Sequence, residues 1–284
     1  MWRDLLADGI DSADIVLFGI PYDGNCSVGR GASEAPAVMR RLSESLPPFA
    51  VDGSRIPQIL HDMGDVAGYD YDAVSRMMAS GEGKRLTVML GGDHSVSILT
   101  EKAYREQRKG RRGLIHIDAH ADICDFYDGS HNSHACVNRR ALENGFSPED
   151  IVMVGIRSYE AQEVDLLSKI PLKVYSAQEV MDNPSDVADE IIKKYADYDG
   201  VYLSFDIDAV DPAYAPGTGT PEAFGMSSLT VLHLLRRLIS SLPIDAMDIV
   251  EVSPPLDVNN VTSWLALKYL LEIFDLINKH KGAL

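Results

Sequence analysis

The stretch Asp118-Ala119-His120-Ala121-Asp122, set directly after the apolar run 113–117, constrains this chain more than any other. A short apolar run of this kind reads as a buried strand. In an extended segment alternate side chains project to one face. Asp118, His120 and Asp122, at i, i+2 and i+4, can therefore converge on one point beyond the strand end, even where the last of them turns into a loop. Three such groups buried alone would repel one another or stay unpaired, and a divalent cation removes that cost.

Two other stretches repeat the arrangement. Gly91-Gly92-Asp93-His94-Ser95 follows the apolar run 86–90, and Ser204-Phe205-Asp206-Ile207-Asp208 follows the run 200–203, with Asp211-Pro212 closing the turn. Asp206 and Asp208 repeat the one-face spacing of Asp118 and His120. His94, Asp118, His120, Asp122, Asp206 and Asp208 make six candidate ligands, four of them anionic. That set is too large and too negative for one zinc, which usually takes four ligands. It suits two divalent ions bridged by shared carboxylates.

Strand and helix signals alternate throughout, with no compositional break, repeat or linker. They predict one domain over residues 1–284, of α/β class: a three-layer α/β/α arrangement with a doubly wound, mostly parallel sheet. Strands are expected at 15–18, 56–60, 86–90, 113–117, 151–154, 172–175, 202–205 and 248–251. Helices are expected at 35–46 with Ser33 as N-cap, at 73–79, 96–107, from 134 onward, and at 160–167, 184–196, 229–240 and 264–276, with His280 in a polar tail. Ligands of such folds gather outside the carboxyl ends of the strands, where every motif above lies. The start of helix 96–107 would keep the His94 ring neutral for a metal. His116 points to the strand face opposite Ile115 and Ile117, which suits a core or supporting role. The glycine-rich loop 19–31 is no nucleotide fingerprint: Glu34 stands where a third glycine is needed, and Arg30 where a P-loop needs Lys.

Order, residue identity and strand context of the three ligand stretches resemble the signature set of the ureohydrolases, the arginase and agmatinase family, from Gly19 to the final helix. The segments Ser133-His134-Ala135-Cys136-Val137-Asn138-Arg139-Arg140 and Gly155-Ile156-Arg157-Ser158 are more similar to the agmatinase branch. The resemblance implies the same three-layer fold and two Mn ions. His94, Asp118, Asp122 and Asp206 would hold one ion; Asp118, His120, Asp206 and Asp208 would hold the other. It implies that His134 shuttles a proton to the leaving amine, with His131 as a rival for that role, and that Glu251 pairs with the substrate guanidinium. The implied reaction is hydrolysis of a guanidino group to urea and an amine, agmatine to putrescine first. Arginase, guanidinobutyrase, guanidinopropionase and formiminoglutamase activities are the alternatives, and a non-catalytic ligand-binding member a further one. A homo-oligomer, trimer or hexamer, is implied as well. A metallophosphatase would need a Gly-Asn-His-Asp/Glu segment and a late Gly-His-x-His that the chain lacks. A single-zinc deacetylase would lack the second ion's ligands.

Charge narrows the partners. The formal net charge of -17 argues against nucleic acid and anionic membranes and favours cationic ligands. The loop 123–133 contains no Lys or Arg but has Asp125 and Asp128. An arriving carboxylate would be repelled there and an ammonium drawn in, so a small cationic guanidino substrate is expected. Arg30 and Arg157 lie on loops whose reach the sequence does not fix. Cys26, Cys124 and Cys136 form no CxxC pair, which fits a reduced cytoplasmic setting. The N-terminal residues have no signal-peptide pattern, and no apolar stretch approaches the ~20 residues a membrane span requires.

Overall fold

The apolar runs at the centre of the sheet become strands because each is buried on both faces, as central strands of a parallel sheet are. The computed structural model describes residues 2–280. Met1 and residues 281–284 lie outside them, and with them the end of the expected polar tail. Within the described residues the strands are β1 (Ile15–Gly19), β2 (Leu60–Asp65), β3 (Leu86–Leu90), β4 (Arg112–Ile117), β5 (Ile151–Ile156), β6 (Lys173–Ser176), β7 (Gly200–Asp206) and β8 (Ile244–Val250). They form one sheet in the order β2-β1-β3-β8-β7-β4-β5-β6. Every pairing is parallel.

The helices are α1 (Ala35–Ser43), α2 (Tyr71–Ser80), α3 (Val96–Gln107), α4 (Val137–Glu143), α5 (Ala161–Leu167), α6 (Ala177–Asp182), α7 (Pro184–Tyr195), α8 (Ser228–Ser241) and α9 (Val261–Lys279). Strand alternation divides the core in two. Ile115, Ile117, Leu203 and Phe205 pack with α1 and α6 to α9. Leu114, Met153, Tyr202 and Val250 pack with α2 to α5 on the opposite face. At about 1.5–3 kcal/mol for each large apolar side chain taken from water, these two layers hold the sheet between them. No helix among the described residues is long and apolar enough to cross a membrane.

Some elements differ from expectation. The second strand occupies Leu60–Asp65 rather than 56–60, because this edge strand is held by charge: Arg40 of α1 donates to Asp62 at 2.8 Å and also reaches Asp65. Ser33 does not cap α1. Its hydroxyl donates to Asp23 Oδ2 at 3.0 Å, and a 3-10 turn at Ala32–Glu34 leads into the helix. Helix α6 has its own capping box, Ser176 with Glu179. The last strand begins at Ile244 rather than at 248. His280 closes α9, its carbonyl accepting from Arg85 Nη2 at 2.9 Å.

This topology fixes the site. His94 lies between β3 and α3, Asp118 follows β4, Asp206 ends β7 and Glu251 follows β8. In the sheet these strands are the neighbours β3-β8-β7-β4.

Candidate metal centre

Local backbone features aim each side chain. At Gly92 a Cβ would fall 1.7 Å from the Tyr22 carbonyl oxygen, so only glycine lets the chain pass there and deliver His94. The His94 N–H then donates to Glu251 Oε1 at 2.7 Å. Asp118 N–H donates to Val154 O at 3.0 Å, carrying the β4–β5 ladder one residue further. Asp122 takes a left-handed φ of 48° and Glu251 one of 60°. Non-glycine residues held there cost on the order of 1–3 kcal/mol and tend to sit at functional sites. Asn138 steadies the first of them, its side chain donating to Ala121 O at 2.9 Å and its N–H to Asp122 O at 2.8 Å. Asp206 Oδ1 accepts from Asp208 N–H at 2.8 Å, which folds Asp208 back toward the centre.

The six candidate ligands meet. His94 Nδ1 lies 3.0 Å from Asp118 Oδ2 and 3.2 Å from both Asp122 Oδ2 and Asp206 Oδ2. His120 Nδ1 lies 3.1 Å from Asp208 Oδ2 and 3.5 Å from Asp118 Oδ1. Two donor groups result, His94, His116, Asp118 and Asp122 in one and Asp118, His120 and Asp208 in the other, the donor atoms of each within 4.8 Å of one another. Asp118 is common to both. Asp206 touches the first through His94, while its other oxygen is committed to Asp208 N–H. His116 comes nearer the centre than a core role requires: its Nε2 is 3.1 Å from Asp118 Oδ2 and its ring stacks on His94 at 4.9 Å.

The electrostatics ask for a cation. Burial, then the charges of Asp208 and Asp118, push the Asp206 carboxyl well above its ordinary range. Burial and Asp118 raise Asp208 as well. Burial disfavours a charged ring on His94, yet the three carboxylates around it outweigh this and hold its pKa well above the usual histidine value. Burial works against ionised Asp118 too, but His116, His120 and His94 outweigh it and hold that carboxyl well below its usual range. His94 Nδ1 and Asp118 Oδ2 are buried without a hydrogen-bond partner among the described residues. Orphaned donor atoms facing one another in a carboxylate-rich pocket fit a divalent cation, which satisfies all of them at once.

A cavity of about 690 Å³ opens onto this cluster, and His120, Asp122 and His134 line it together. His134 Nε2 is 3.0 Å from Ser27 Oγ. His131 is turned away, its Nδ1 2.8 Å from Asp125 O in an exposed loop. Glu251 is almost fully buried beside the cavity: a Cβ on the lining residue Gly219 would come 3.6 Å from its Oε2. Burial and Asp93 hold its carboxyl well above the ordinary glutamate range.

The expectation that Asp125 would charge the mouth is corrected. Its carboxylate is drawn off by Arg140 at 2.9 Å and Arg139 at 3.8 Å and does not line the cavity. Asp128 does line it, joined by Glu160, Glu163 and Glu222, which sequence reasoning missed; among the described residues no Lys or Arg lines it. Glu163 lay inside an expected helix. It is a clamp, accepting from Ile123 N–H at 2.9 Å and Glu160 N–H at 2.7 Å. Arg157 turns inward, its guanidinium donating to Asp208 O and Glu222 O, both at 2.8 Å. Arg30 is exposed and outside the lining. The three cysteines are free thiols.

The model of the arginase family matches residues 13–275. A guanidinobutyrase of Pseudomonas aeruginosa is 31% identical over 280 residues, covering 93% of this chain and 86% of its own. An agmatinase of Neisseria meningitidis is 36% identical over 279 residues, covering 92% of this chain and 86% of its own. The solved agmatine ureohydrolase of Thermoplasma volcanium superposes with a TM-score of 0.81 at 32% identity, covering 96% of this chain and 93% of that one. Likeness that runs through the whole sheet, including the four strand ends that carry the cluster, makes this chain a member of the arginase family.

Proposed function

We propose that this family member hydrolyses a guanidino compound with a cationic tail, agmatine before any other, releasing urea and putrescine. The observation that carries the choice is the cavity wall. Asp128, Glu160, Glu163 and Glu222 line it, and among the described residues no Lys or Arg does. Such a wall draws in an ammonium and opposes a carboxylate, which would want Arg or Lys. Relatives named for agmatine and for guanidinobutyrate lie at comparable distance, so the charge of the wall is the discriminating argument.

In this reading His94, Asp118, Asp122 and Asp206 hold one divalent ion and Asp118, His120, Asp206 and Asp208 the other, with His116 supporting Asp118. Carboxylate-rich sets with two imidazoles suit Mn. Such a pair of ions, when bound, supplies a water of lowered pKa as nucleophile near neutral pH. Glu251 fixes the plane of the guanidinium beside the cluster. Its raised pKa falls back when a cation arrives, so substrate binding itself favours the charged form. His134 gives a proton to the departing amine, Ser27 Oγ holding its ring in the cavity wall. General acid help of this kind contributes typically ~10²–10⁴-fold.

A substrate panel with added Mn, scoring urea and ammonia separately, tests the reading. The expected order of kcat/KM puts agmatine above arginine, 4-guanidinobutyrate and 3-guanidinopropionate. Preference for any of these acids overturns the electrostatic argument, and no urea from any substrate leaves a ligand-binding member.

A further inference from the structure

We infer that Glu222 is a positioning residue for His120: its carboxylate accepts a hydrogen bond from Nε2–H, which keeps the proton on that nitrogen and so fixes Nδ1 as the bare ring nitrogen turned toward the cation. The inference rests on the two-cation reading above. His120 Nδ1 faces Asp208 Oδ2 and Asp118 Oδ1 at 3.1 and 3.5 Å, which leaves Nε2 on the far side of the ring, 3.7 Å from Glu222 Oε1. At 3.7 Å the pair is an ion-pair contact longer than a hydrogen bond, and the Glu222 side chain is 40% exposed, which leaves its carboxylate room to approach the ring.

The surroundings are built to hold this pair. Ser158 Oγ donates to Glu222 Oε1 at 3.1 Å. Ser158 is itself fixed beside His120, forming a parallel bridge with it and donating its N–H to Ala119 O at 3.0 Å. Arg157 ties the backbone of Glu222 to that of Asp208, donating from Nη2 to both carbonyls at 2.8 Å. The loop bearing Glu222 is thus locked to the residue that faces the opposite nitrogen of the same ring. His94 is oriented by different chemistry: its Nε2 is 2.9 Å from Ser204 Oγ, which donates to the buried Asp248 Oδ1 at 2.9 Å. A carboxylate on the outer nitrogen of a ligating histidine sets its tautomer and raises its basicity, and loss of such a partner costs typically ~10–100-fold in metal affinity.

The test is manganese titration of the metal-free full chain by calorimetry, with EPR spectra of the same samples, for wild type, Glu222→Gln and Glu222→Asp. Wild type is expected to take two equivalents. Glu222→Gln should keep one at unchanged affinity and bind the other roughly 10–100-fold more weakly. At limiting manganese its spectrum should be that of an isolated ion in place of a coupled pair, and Glu222→Asp should recover part of the loss. The melting temperature of the metal-free protein should not move. Two unchanged affinities in Glu222→Gln with only a raised KM for agmatine make Glu222 a substrate contact and overturn the inference, leaving the two-cation reading intact. Equal weakening of both ions with a lowered melting temperature assigns Glu222 to the fold and also overturns it. A wild-type chain that takes up a single equivalent overturns the two-cation reading and this inference together.

Discussion

His94 Nδ1 and Asp118 Oδ2 face each other across 3.0 Å at the carboxyl edge of the sheet, both buried and neither hydrogen-bonded to a described residue. A buried polar atom left without a partner costs about 1–3 kcal/mol, and here two of them share one small space with further carboxylates. The fold holds these groups together because they sit on neighbouring strand ends whose register is set by the ladders behind them.

Asp118 belongs to both donor groups, so Asp118→Asn is expected to remove both equivalents of bound manganese. Taking one partner out of a buried charge set costs about 3–5 kcal/mol. That corresponds to roughly 10²–10³-fold or more in cation affinity. Metal analysis of the purified variant checks this, with urea release falling in step. The metal-free variant should also be less stable than metal-free wild type, because the pull of His94, His116 and His120 on Asp118 outweighs its burial.

His134 shares the cavity with His120 and Asp122, but its ring meets Ser27 and the ring of Tyr127. His134→Asn is therefore expected to lower kcat by ~10²–10⁴-fold while manganese content stays near wild type. Loss of metal from this variant would place the ring among the ligands and refute the assignment.

The ligand-bearing strand ends were legible because parallel central strands must be apolar on both faces, so the polar residues after each run stand out. The edge strand Leu60–Asp65 was not, since its Asp62 and Asp65 are neutralised by Arg40 from a distant helix. Asp128 could be placed from its own loop. Glu160 and Glu222 arrive at the same wall from after β5 and β7, a meeting that depends on sheet order and not on sequence distance. Asp125 misled for the converse reason: its two arginine partners follow the loop on α4 and turn it away.

That acidic wall should appear in the kinetics. Values of kcat/KM for agmatine are expected to fall as salt rises from 20 to roughly 200 mM, where the screening length shortens to below ~10 Å. Asp128→Asn combined with Glu160→Gln should raise KM by about tenfold, leave kcat unchanged and flatten the salt dependence. A double variant with wild-type KM and salt response would remove the wall from substrate capture.

Glu101 of α3 lies under the cluster, fully buried, with both carboxylate oxygens unpartnered among the described residues. Burial, and then the charge of Asp248, hold its pKa well above the ordinary glutamate range; the nearby His94 only partly offsets this. Asp248 is committed elsewhere, accepting from Tyr202 Oη at 2.7 Å and Ser204 Oγ at 2.9 Å. The native state therefore binds more protons at this site than the unfolded chain once pH exceeds the unfolded value of about 4.3. Stability then falls with rising pH, by up to about 1.4 kcal/mol per unit, until the folded pKa is passed. Glu101→Gln carries no such dependence, and the other titrating groups are common to both proteins. The stability of Glu101→Gln minus that of wild type, from urea unfolding of metal-free protein at pH 5, 6, 7 and roughly 8, should grow steadily with pH. Any constant cost of burying the amide cancels from that trend. A difference that stays flat across the series would mean that Glu101 meets the same environment folded and unfolded, and the buried-acid assignment would be wrong.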